Sequence, residues 1–387
     1  IAAMFCEPVQ GAGGVVVPTN PLYTPGEIEY QAKDAGIEVM FVMTNFYHTI
    51  KKAQPNTKIK KIIVTNLKET LPPVMRVLFT LLREKKGGFF SNPFGSSRQK
   101  GGFHLDKNLP EGDVWMQDLL AKYHSAARPN IPISHDDTAL FQYSGGTTGV
   151  SKGAVATHYN IVANTLQIRS WMTILEEGKE IVLMGIPLFH VYGMVAGMNF
   201  AMSTGAAMVM VPNPRDLKDV LDNIQKYKAT IFPGVPALYN GINNHPDVKA
   251  GKYNLSTIKA CVSGSAPLMR ETKDQFEKLT GGKVFEGYGL SEAPTASHCN
   301  PLLGENKTGS IGMPLPNMEC RVVNLDDGET DLPQGEVGEL LLHGPQVMKG
   351  YHNMPTETKP ARSGCTPATS SAWTKTVTSI SLTARRN

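Results

Sequence analysis

The sequence lacks the features that mark several large classes of protein. Its five cysteines include no C-x-x-C pair, which argues against a zinc or disulfide framework and fits reduced thiols in the cytoplasm. The net charge is only +4 over 387 residues, so the composition does not indicate the concentrated basic face of a nucleic-acid-binding protein. No signal peptide is visible, and the chain begins at Ile1 without Met. We therefore expect a cytoplasmic protein whose N-terminal start is missing from the sequence.

The sequence also lacks an uninterrupted hydrophobic run of membrane-spanning length. The segment from Ile181 to Val211 contains no Asp, Glu, Lys or Arg, but Pro187, His190 and Gly193 interrupt it. A strand, a loop, an apolar helix and a second strand, all buried in an α/β core, account for this pattern better than a transmembrane helix does.

A segment rich in glycine and hydroxyl residues, Y-S-G-G-T-T-G-V-S-K-G, runs from Tyr143 to Gly153. Glycines let backbone N–H groups turn towards an anion, and hydroxyl groups with the Lys152 ammonium can neutralise phosphate oxygens. The segment matches neither the Walker A loop nor G-x-G-x-x-G. We expect a strand before it (Ala139 to Tyr143) and a helix after it (His158 to Trp171), which is a common setting for phosphate-binding loops. A flexible polar surface loop is the alternative.

Strands alternate with helices along most of the chain, which predicts an α/β fold of mostly parallel sheets flanked by helices. Near the start, Thr24 is placed to cap a helix from about Gly26 to Gly36, with Pro25 as its first residue. The sequence K-I-I-V-T at 61–65 is typical of a buried strand. Beyond Ser310, short strands and turn residues predict a small antiparallel β subdomain.

These changes of pattern divide the chain into three predicted regions. Residues 1–309 form an incomplete N-terminal α/β region, residues 310–358 form the β-rich subdomain, and residues 359–387 form a disordered tail. Within the first region, residues 71–109 combine a short apolar helix (Val74 to Leu82) with a stretch rich in glycine, serine and basic residues. We expect an exposed excursion there, either a solvated loop or a basic surface that rests on anionic lipid at the inner face of the membrane.

Five segments occur in the order seen in acyl-adenylate-forming (AMP-binding) enzymes: Y-S-G-G-T-T-G-V-S-K-G, P-L-F-H-V-Y-G, G-S-A-P-L, E-G-Y-G-L-S-E and G-E-L…G-P-Q-V-M-K-G-Y. From about Gly14 to about Thr358 the chain resembles this superfamily, and it is most similar to bacterial long-chain fatty-acid–CoA ligases. The resemblance implies that a fatty-acid carboxylate attacks the α-phosphorus of ATP to give an acyl-adenylate, and that coenzyme A then accepts the acyl group. Because this step brings two anions together, catalysis must come mainly from positioning and charge neutralisation.

The resemblance also implies roles for individual residues. Catalysis would depend on Lys152, Glu292 and His190, the last beside the reacting carboxylate. Glu292 and Thr147 would bind Mg²⁺, since hard oxygen ligands suit this ion. The acyl pocket would be lined by His190, Val235, Pro236 and Gly312. The ATP-binding residues would be Ser144, Gly145, Gly146, Thr147, Thr148, Gly149, Lys152, Gly264, Ser265, Ala266, Glu286, Gly287, Tyr288, Gly289 and Ser291.

Within this set, the loop residues would hold the β- and γ-phosphates, and Tyr288 would stack on adenine. Three of the residues have a simpler alternative. Glu292 could be a carboxylate at a helix start, Tyr288 a core aromatic residue and His190 a core histidine. The family commonly has Pro where this chain has Ser151, a departure that would loosen the loop without removing its donors.

The resemblance ends after G-Y-H-N-M-P-T-E-T. The family continues with W-L-H-T-G-D, whose Asp binds the ribose, and with a mobile domain that carries a second catalytic lysine. Codons for W-L-H-T-G-D read one base late can give G-C-T-P-A-T, the sequence from Gly364 to Thr369. Codons for M-D-E-D-G-Y-F-Y-L-T-D read in the same way can give the sequence from Trp373 to Thr383. A frameshift is therefore our hypothesis for the tail, and the DNA across these codons would test it.

We expect an ATP-dependent long-chain fatty-acid–CoA ligase whose activity is impaired or absent in this shortened chain. One alternative is a ligase for an aryl, short-chain or carrier-linked acid. The other is a non-catalytic remnant that binds nucleotide or acyl chains. The sequence indicates neither the acyl chain length nor the oligomeric state.

Overall fold

The structure is a computed structural model that describes residues 9–81, 109–127, 129–144, 150–358 and 374–381. The chain forms two compact units. The smaller comprises Val17–Ile131, and the larger comprises the chain on either side of that segment. The sequence pattern did not indicate this division, and the predicted boundary after residue 309 stays a prediction.

The smaller unit is built on a parallel three-stranded sheet. Its helices and strands are α1 (Pro25–Asp34), β1 (Val39–Met43), α2 (Tyr47–Ala53), β2 (Lys61–Thr65), α3 (Pro73–Phe79), β3 (Val114–Trp115) and α4 (Met116–Tyr123), with 3₁₀ turns at Thr44–Phe46, Gln54–Asn56 and Leu67–Thr70. The strand order is β1–β2–β3, and β2 has the predicted bounds. The predicted cap is also confirmed: the Thr24 side chain accepts from the Glu27 N–H, and the Glu27 carboxylate accepts from the Thr24 N–H.

The larger unit combines a mixed sheet, flanking helices and a small antiparallel sheet. Its elements are β4 (Thr138–Tyr143), β5 (Gly153–Thr157), α5 (His158–Trp171), β6 (Ile181–Met184), a π-helix (Tyr192–Asn199), α6 (Phe200–Ser203), β7 (Ala207–Met210), α7 (Leu217–Tyr227), α8 (Pro236–Asn244), α9 (Pro246–Lys249), β8 (Ala260–Ser263), α10 (Arg270–Thr280), β9 (Lys283–Leu290), β10 (Ala293–Cys299), β11 (Met313–Pro314), β12 (Glu319–Val323), β13 (Val337–His343) and β14 (Thr374–Ser381).

The pairing of these strands confirms the predicted α/β class. β6 pairs with β7 and β8 pairs with β9, both in parallel, and Ile231 bridges β6 and β8. β9, β10 and β11 continue antiparallel. The antiparallel sheet β12–β13–β14 is the small β-rich part predicted beyond Ser310.

The segment without acidic or basic side chains forms the predicted strand, loop, helix and strand: β6, the π-helix with α6, and β7. Met184 in β6 and Val195 and Met198 in the π-helix are buried in the main core. These elements carry apolar side chains on all of their faces, as expected for elements covered on both sides. In the part of the chain that the structure describes, no helix is both long and apolar enough to cross a bilayer.

The setting predicted for the glycine-rich loop is wrong in one respect. The loop does not lead directly into a helix, because β5 lies between them and pairs antiparallel with β4. Helix α5 has the predicted bounds, but its capping residue is Thr157, at the far end of β5. Residues 153–157 are small or β-branched and find hydrogen-bond partners on both edges, in β4 and in residues 349–352, which favours a strand.

The described part of the tail differs from the disorder that we expected. Residues 374–381 form β14, which pairs antiparallel with β13 from Val337 opposite Ser381 to Leu342 opposite Thr374. An edge strand offers unpaired N–H and C=O groups, and the segment is rich in Thr, Val and Ile, which suit a strand. Of the predicted excursion, α3 corresponds to the short apolar helix, and residues 82–108 lie outside the described residues.

Candidate active site

The two ends of the glycine-rich loop are joined at the base of the β4–β5 hairpin. The Ser144 N–H donates to the Lys152 carbonyl at 3.0 Å, and the Ser151 hydroxyl donates to the Ser144 carbonyl at 2.5 Å. The serine that replaces the usual proline therefore adds a hydrogen bond to the neck of the loop. The predicted phosphate-binding residues between these ends lie outside the described residues: Gly145, Gly146, Thr147, Thr148 and Gly149.

Lys152 and Glu292 meet through one tyrosine. The Tyr351 hydroxyl donates to Glu292 Oε1 at 2.8 Å, and Lys152 Nζ lies 5.3 Å from the centroid of the Tyr351 ring. The same ammonium is 2.5 Å from Glu357 Oε2. This ion pair lowers the pKa of Glu357, and burial together with the Glu292 charge raises the pKa of Tyr351. A cation, two carboxylates and a phenol hydroxyl are thus clustered at the edge of β5.

Backbone pairing places Tyr351 there. The Val155 N–H donates to the Gly350 carbonyl, and the Val155 carbonyl accepts from the Lys349 N–H, each at 2.9 Å. The His352 N–H donates to the Gly153 carbonyl at 2.8 Å. Residues 349–352 thus follow the free edge of β5, directly beyond Lys152. The register of this pairing fixes which side chain meets the lysine.

A cavity of about 290 Å³ lies in the larger unit, among the π-helix, β9, β10 and the end of α5. Ser265 forms part of its wall with a left-handed backbone (φ 67°), an uncommon conformation for a residue other than glycine that recurs at functional sites. Seven of the predicted site residues line it: His190, Gly264, Ser265, Gly287, Tyr288, Gly289 and Ser291.

The structure also addresses the simpler alternatives for three residues. His190 is exposed to the cavity and is not a core histidine, although the atoms crowded around its imidazole lower its pKa. Its Nδ1 accepts from the Tyr192 N–H at 3.1 Å, which leaves the proton of the neutral ring on Nε2. Tyr288 is half-buried in the cavity wall, and Glu292 lies in the turn between β9 and β10 rather than at a helix start.

Five further predicted residues belong neither to the cluster around Lys152 nor to the described lining of the cavity. The Glu286 carboxylate accepts from the N–H groups of Leu268 and Gly309, at 3.3 and 2.7 Å, so it braces two loops. Val235 precedes α8 and packs against a neighbouring core cluster, and Pro236 is the first residue of α8. The other two are Ala266 and Gly312, and a Cβ at Gly312 would come 2.1 Å from the Cys299 backbone.

Several lining residues were not predicted, because they are ordinary apolar or small residues on regular elements. They are Ile168, Trp171, Met172, Ala196, Phe200, Thr295, Ala296, His298, Cys299 and Leu315, among others. His298 is only 1% exposed, and this burial lowers its pKa to about 4. Burial raises the pKa of Cys299 to about 12. The only sequence prediction that touched this part of the wall was the C-terminal end of α5, which was correctly placed at Trp171.

Of the two predicted Mg²⁺ ligands, Glu292 is described by the structure and Thr147 lies outside the described residues. In the ranges given above, no group of three or more His, Cys, Asp or Glu side chains is arranged to hold a metal ion. Glu292 alone, with one oxygen already accepting from Tyr351, fits Mg²⁺ held mainly by phosphates and water, the usual mode for this ion.

The larger unit thus combines an α/β fold, the charged cluster around Lys152 and Glu292, and a largely apolar cavity. The chain belongs to the AMP-binding enzyme family, whose profile matches residues 4–352. The long-chain-fatty-acid–CoA ligase of Bacillus subtilis is 41% identical over 349 residues, which is 90% of this chain and 59% of the relative. The ligase of that name from Salmonella typhimurium is 31% identical over 348 residues, with the same shares covered.

Solved structures share the fold. ATP-bound MatB from Rhodopseudomonas palustris superposes with a TM-score of 0.70 at 25% identity, over 92% of this chain and 60% of that one. The long-chain-fatty-acid–CoA ligase FadD1 from Archaeoglobus fulgidus gives 0.69 at 23% identity, over 89% and 61%. This chain therefore spans about 60% of the length of these proteins.

Proposed function

We propose that the chain is the ATP- and acyl-binding part of a long-chain fatty-acid–CoA ligase. The observation that carries the proposal is the contact of Tyr351 with both Lys152 and Glu292, because one triphosphate with its metal could then reach both charged groups. The identity of 41% to a long-chain-fatty-acid–CoA ligase supports the choice of acid. The apolar lining of the cavity, with Ile168, Phe200 and Leu315, supports it too.

In this proposal each residue stabilises charge at a stated place. The Lys152 ammonium and the glycine-rich loop bind the β- and γ-phosphates, which lowers the repulsion that an incoming carboxylate meets. Mg²⁺, held by Glu292 and phosphate oxygens, would supply further charge neutralisation. His190 is neutral, so its Nε2–H can donate to an oxygen of the fatty-acid carboxylate and orient it. Tyr288 flanks adenine. The carboxylate displaces pyrophosphate from the α-phosphorus of ATP, and coenzyme A then takes the acyl group from the acyl-adenylate and releases AMP.

Calorimetry on the 387-residue chain tests the nucleotide half of the proposal. ATP with Mg²⁺ should bind measurably to the wild-type chain, and Lys152→Met should weaken this binding by about ten- to a hundredfold, since a hydrogen bond to a charged group contributes about 1.5–3 kcal/mol. A folded chain that binds neither ATP nor a fatty acid would contradict the proposal.

The acid specificity needs its own experiment, since structural relatives include an anthranilate CoA ligase and a benzoate CoA ligase. With ATP present, binding of palmitate, octanoate, benzoate and malonate should be compared by calorimetry. The proposal expects palmitate to bind most tightly, because each buried methylene contributes about 0.8 kcal/mol. Preference for benzoate or malonate would favour a different acid ligase.

Contact with a membrane surface is a further part of the proposal. Helix α3 exposes Val74, Met75 and Val77 at 73%, 52% and 59%. Apolar side chains in such numbers on one short helix suit the boundary of a lipid bilayer, from which a long-chain acid would be drawn. The basic residues that follow α3 in the sequence would favour anionic lipid.

A further inference from the structure

We infer that Glu357 is an internal competitor of the triphosphate: it occupies the Lys152 ammonium when no nucleotide is bound and weakens the binding of polyphosphate ligands. The inference rests on the proposed function, in which Lys152 binds the β- and γ-phosphates. Its basis is the ion pair of 2.5 Å between Lys152 Nζ and Glu357 Oε2, which joins residues 205 positions apart. Glu357 Oε2 thus contacts the ammonium that, in the proposed function, would bind a phosphate oxygen.

The ion pair is not required by the surrounding fold. The side chains of Lys152 and Glu357 are 34% and 49% exposed, and exposed pairs of this kind contribute little to stability. The turn that carries Glu357 is held by other groups. Thr358 Oγ1 accepts from the Tyr351 N–H at 2.9 Å and donates to the Met354 carbonyl at 2.8 Å, and the Glu357 N–H donates to that carbonyl at 3.2 Å.

The consequence for ligands follows from charge. A triphosphate that binds Lys152 must first displace the Glu357 carboxylate, and the displaced carboxylate then lies close to several phosphate charges of the same sign. Both effects weaken the binding of ligands that carry β- and γ-phosphates. AMP has neither group, so its affinity should not depend on Glu357. The same competition would speed the release of pyrophosphate.

The test is calorimetry on the full 387-residue chain with ATP, tripolyphosphate and AMP, for the wild type and Glu357→Gln. We expect ATP and tripolyphosphate to bind about two- to fivefold more tightly to the variant, the range that exposed ion pairs allow, and AMP to be unchanged. The matched control is Glu38→Gln, which removes the same charge from an exposed pair with Lys60 at 2.9 Å in the smaller unit. It should leave all three affinities unchanged.

The same substitution in a Lys152→Met variant separates competition for the Lys152 ammonium from simple repulsion between Glu357 and the phosphates. In Lys152→Met, the Glu357→Gln substitution should lose most of its effect on tripolyphosphate. An equal gain in that background, or equal or weaker polyphosphate binding by Glu357→Gln alone, overturns the inference. Tripolyphosphate binding without ATP binding would contradict the proposed function, while the tripolyphosphate affinities still decide the inference. If ATP and tripolyphosphate bind neither the wild type nor Glu357→Gln, the proposed function and the inference about Glu357 are both wrong.

Discussion

Tyr351 shows how one side chain can organise a charged site. Its hydroxyl donates to Glu292, and its ring faces the Lys152 ammonium, so it fixes two groups that the proposed function requires to act on one ligand. The effect is one of position, because the tyrosine itself need not touch the nucleotide. Glu292 without this hydrogen bond would sample other orientations.

We predict that Tyr351→Phe keeps the ring against Lys152 but weakens ATP binding in Mg²⁺ by about ten- to a hundredfold, since hydrogen bonds to charged groups contribute about 1.5–3 kcal/mol. Calorimetry with and without Mg²⁺ checks this. The loss should be much smaller without the metal, and AMP should bind as in the wild type. An equal loss for all ligands would indicate a structural role only.

His298 gives a prediction about stability and pH. Its pKa is lowered from 6.5 to about 4 by burial, so between these values the unfolded chain binds more protons than the folded chain. The free energy of unfolding should therefore fall as pH falls from about 6.5 to about 4, by at most about 3 kcal/mol from this residue. Urea unfolding at several pH values checks this. His298→Gln should flatten the dependence, and an unchanged slope would contradict it.

At the scale of elements, α5 and β5 show what could be predicted from the sequence. The start of α5 was predictable because Thr157 and Asn160 form a local capping box. β5 was not, because one of its partners, residues 349–352, lies about 200 positions away. The cluster around Lys152 depends on that pairing, so only the resemblance could predict it. The apolar part of the cavity wall was not predicted, because residues such as Trp171 and Phe200 look like ordinary core residues in the sequence.

Asn164 links α5 to the cavity wall. It is fully buried, its Oδ1 accepts from the N–H groups of Thr295 and Ala296 at 2.7 and 3.1 Å, and its Nδ2 donates to the Ala296 carbonyl at 2.7 Å. Both partners line the cavity. This one side chain therefore satisfies three backbone groups of β10.

Replacing it should disturb stability and binding together. Asn164→Ala leaves those backbone groups unpaired and should lower the free energy of unfolding by about 2–4 kcal/mol. Urea unfolding measures this, and palmitate affinity should fall as well. Asn244→Ala, which removes an exposed amide that bonds only within and next to α8, is the control and should cost under about 1 kcal/mol. A loss as small for Asn164→Ala would contradict this role.

For the whole molecule, the exposed face of α3 predicts binding to anionic vesicles. Val74→Glu with Val77→Glu should reduce sedimentation with phosphatidylserine vesicles by about tenfold or more, because each substitution removes apolar area and adds a repelled charge. Val162→Glu, at an equally exposed valine on α5, is the matched control and should bind as the wild type does. Equal losses in both variants would contradict a membrane role for α3.

The origin of residues 359–387 also belongs to this scale. The frameshift hypothesis concerns the gene, and it is compatible with β14, since residues 374–381 are rich in Thr, Val and Ile and can pair with the edge of β13 whatever the origin of the tail. Sequencing the DNA decides it: a one-base shift should restore codons for W-L-H-T-G-D. If no such shift does, the tail has another origin.

The central claim is that Lys152 and Glu292 act on one nucleotide. A double-mutant cycle of ATP binding in Mg²⁺, with Lys152→Met, Glu292→Gln and both together, measures this most directly. Two residues that act on the same bound triphosphate and metal should show a coupling free energy of about 0.5–3 kcal/mol for ATP, and little for AMP. Additive effects of the two substitutions on ATP affinity would contradict the account.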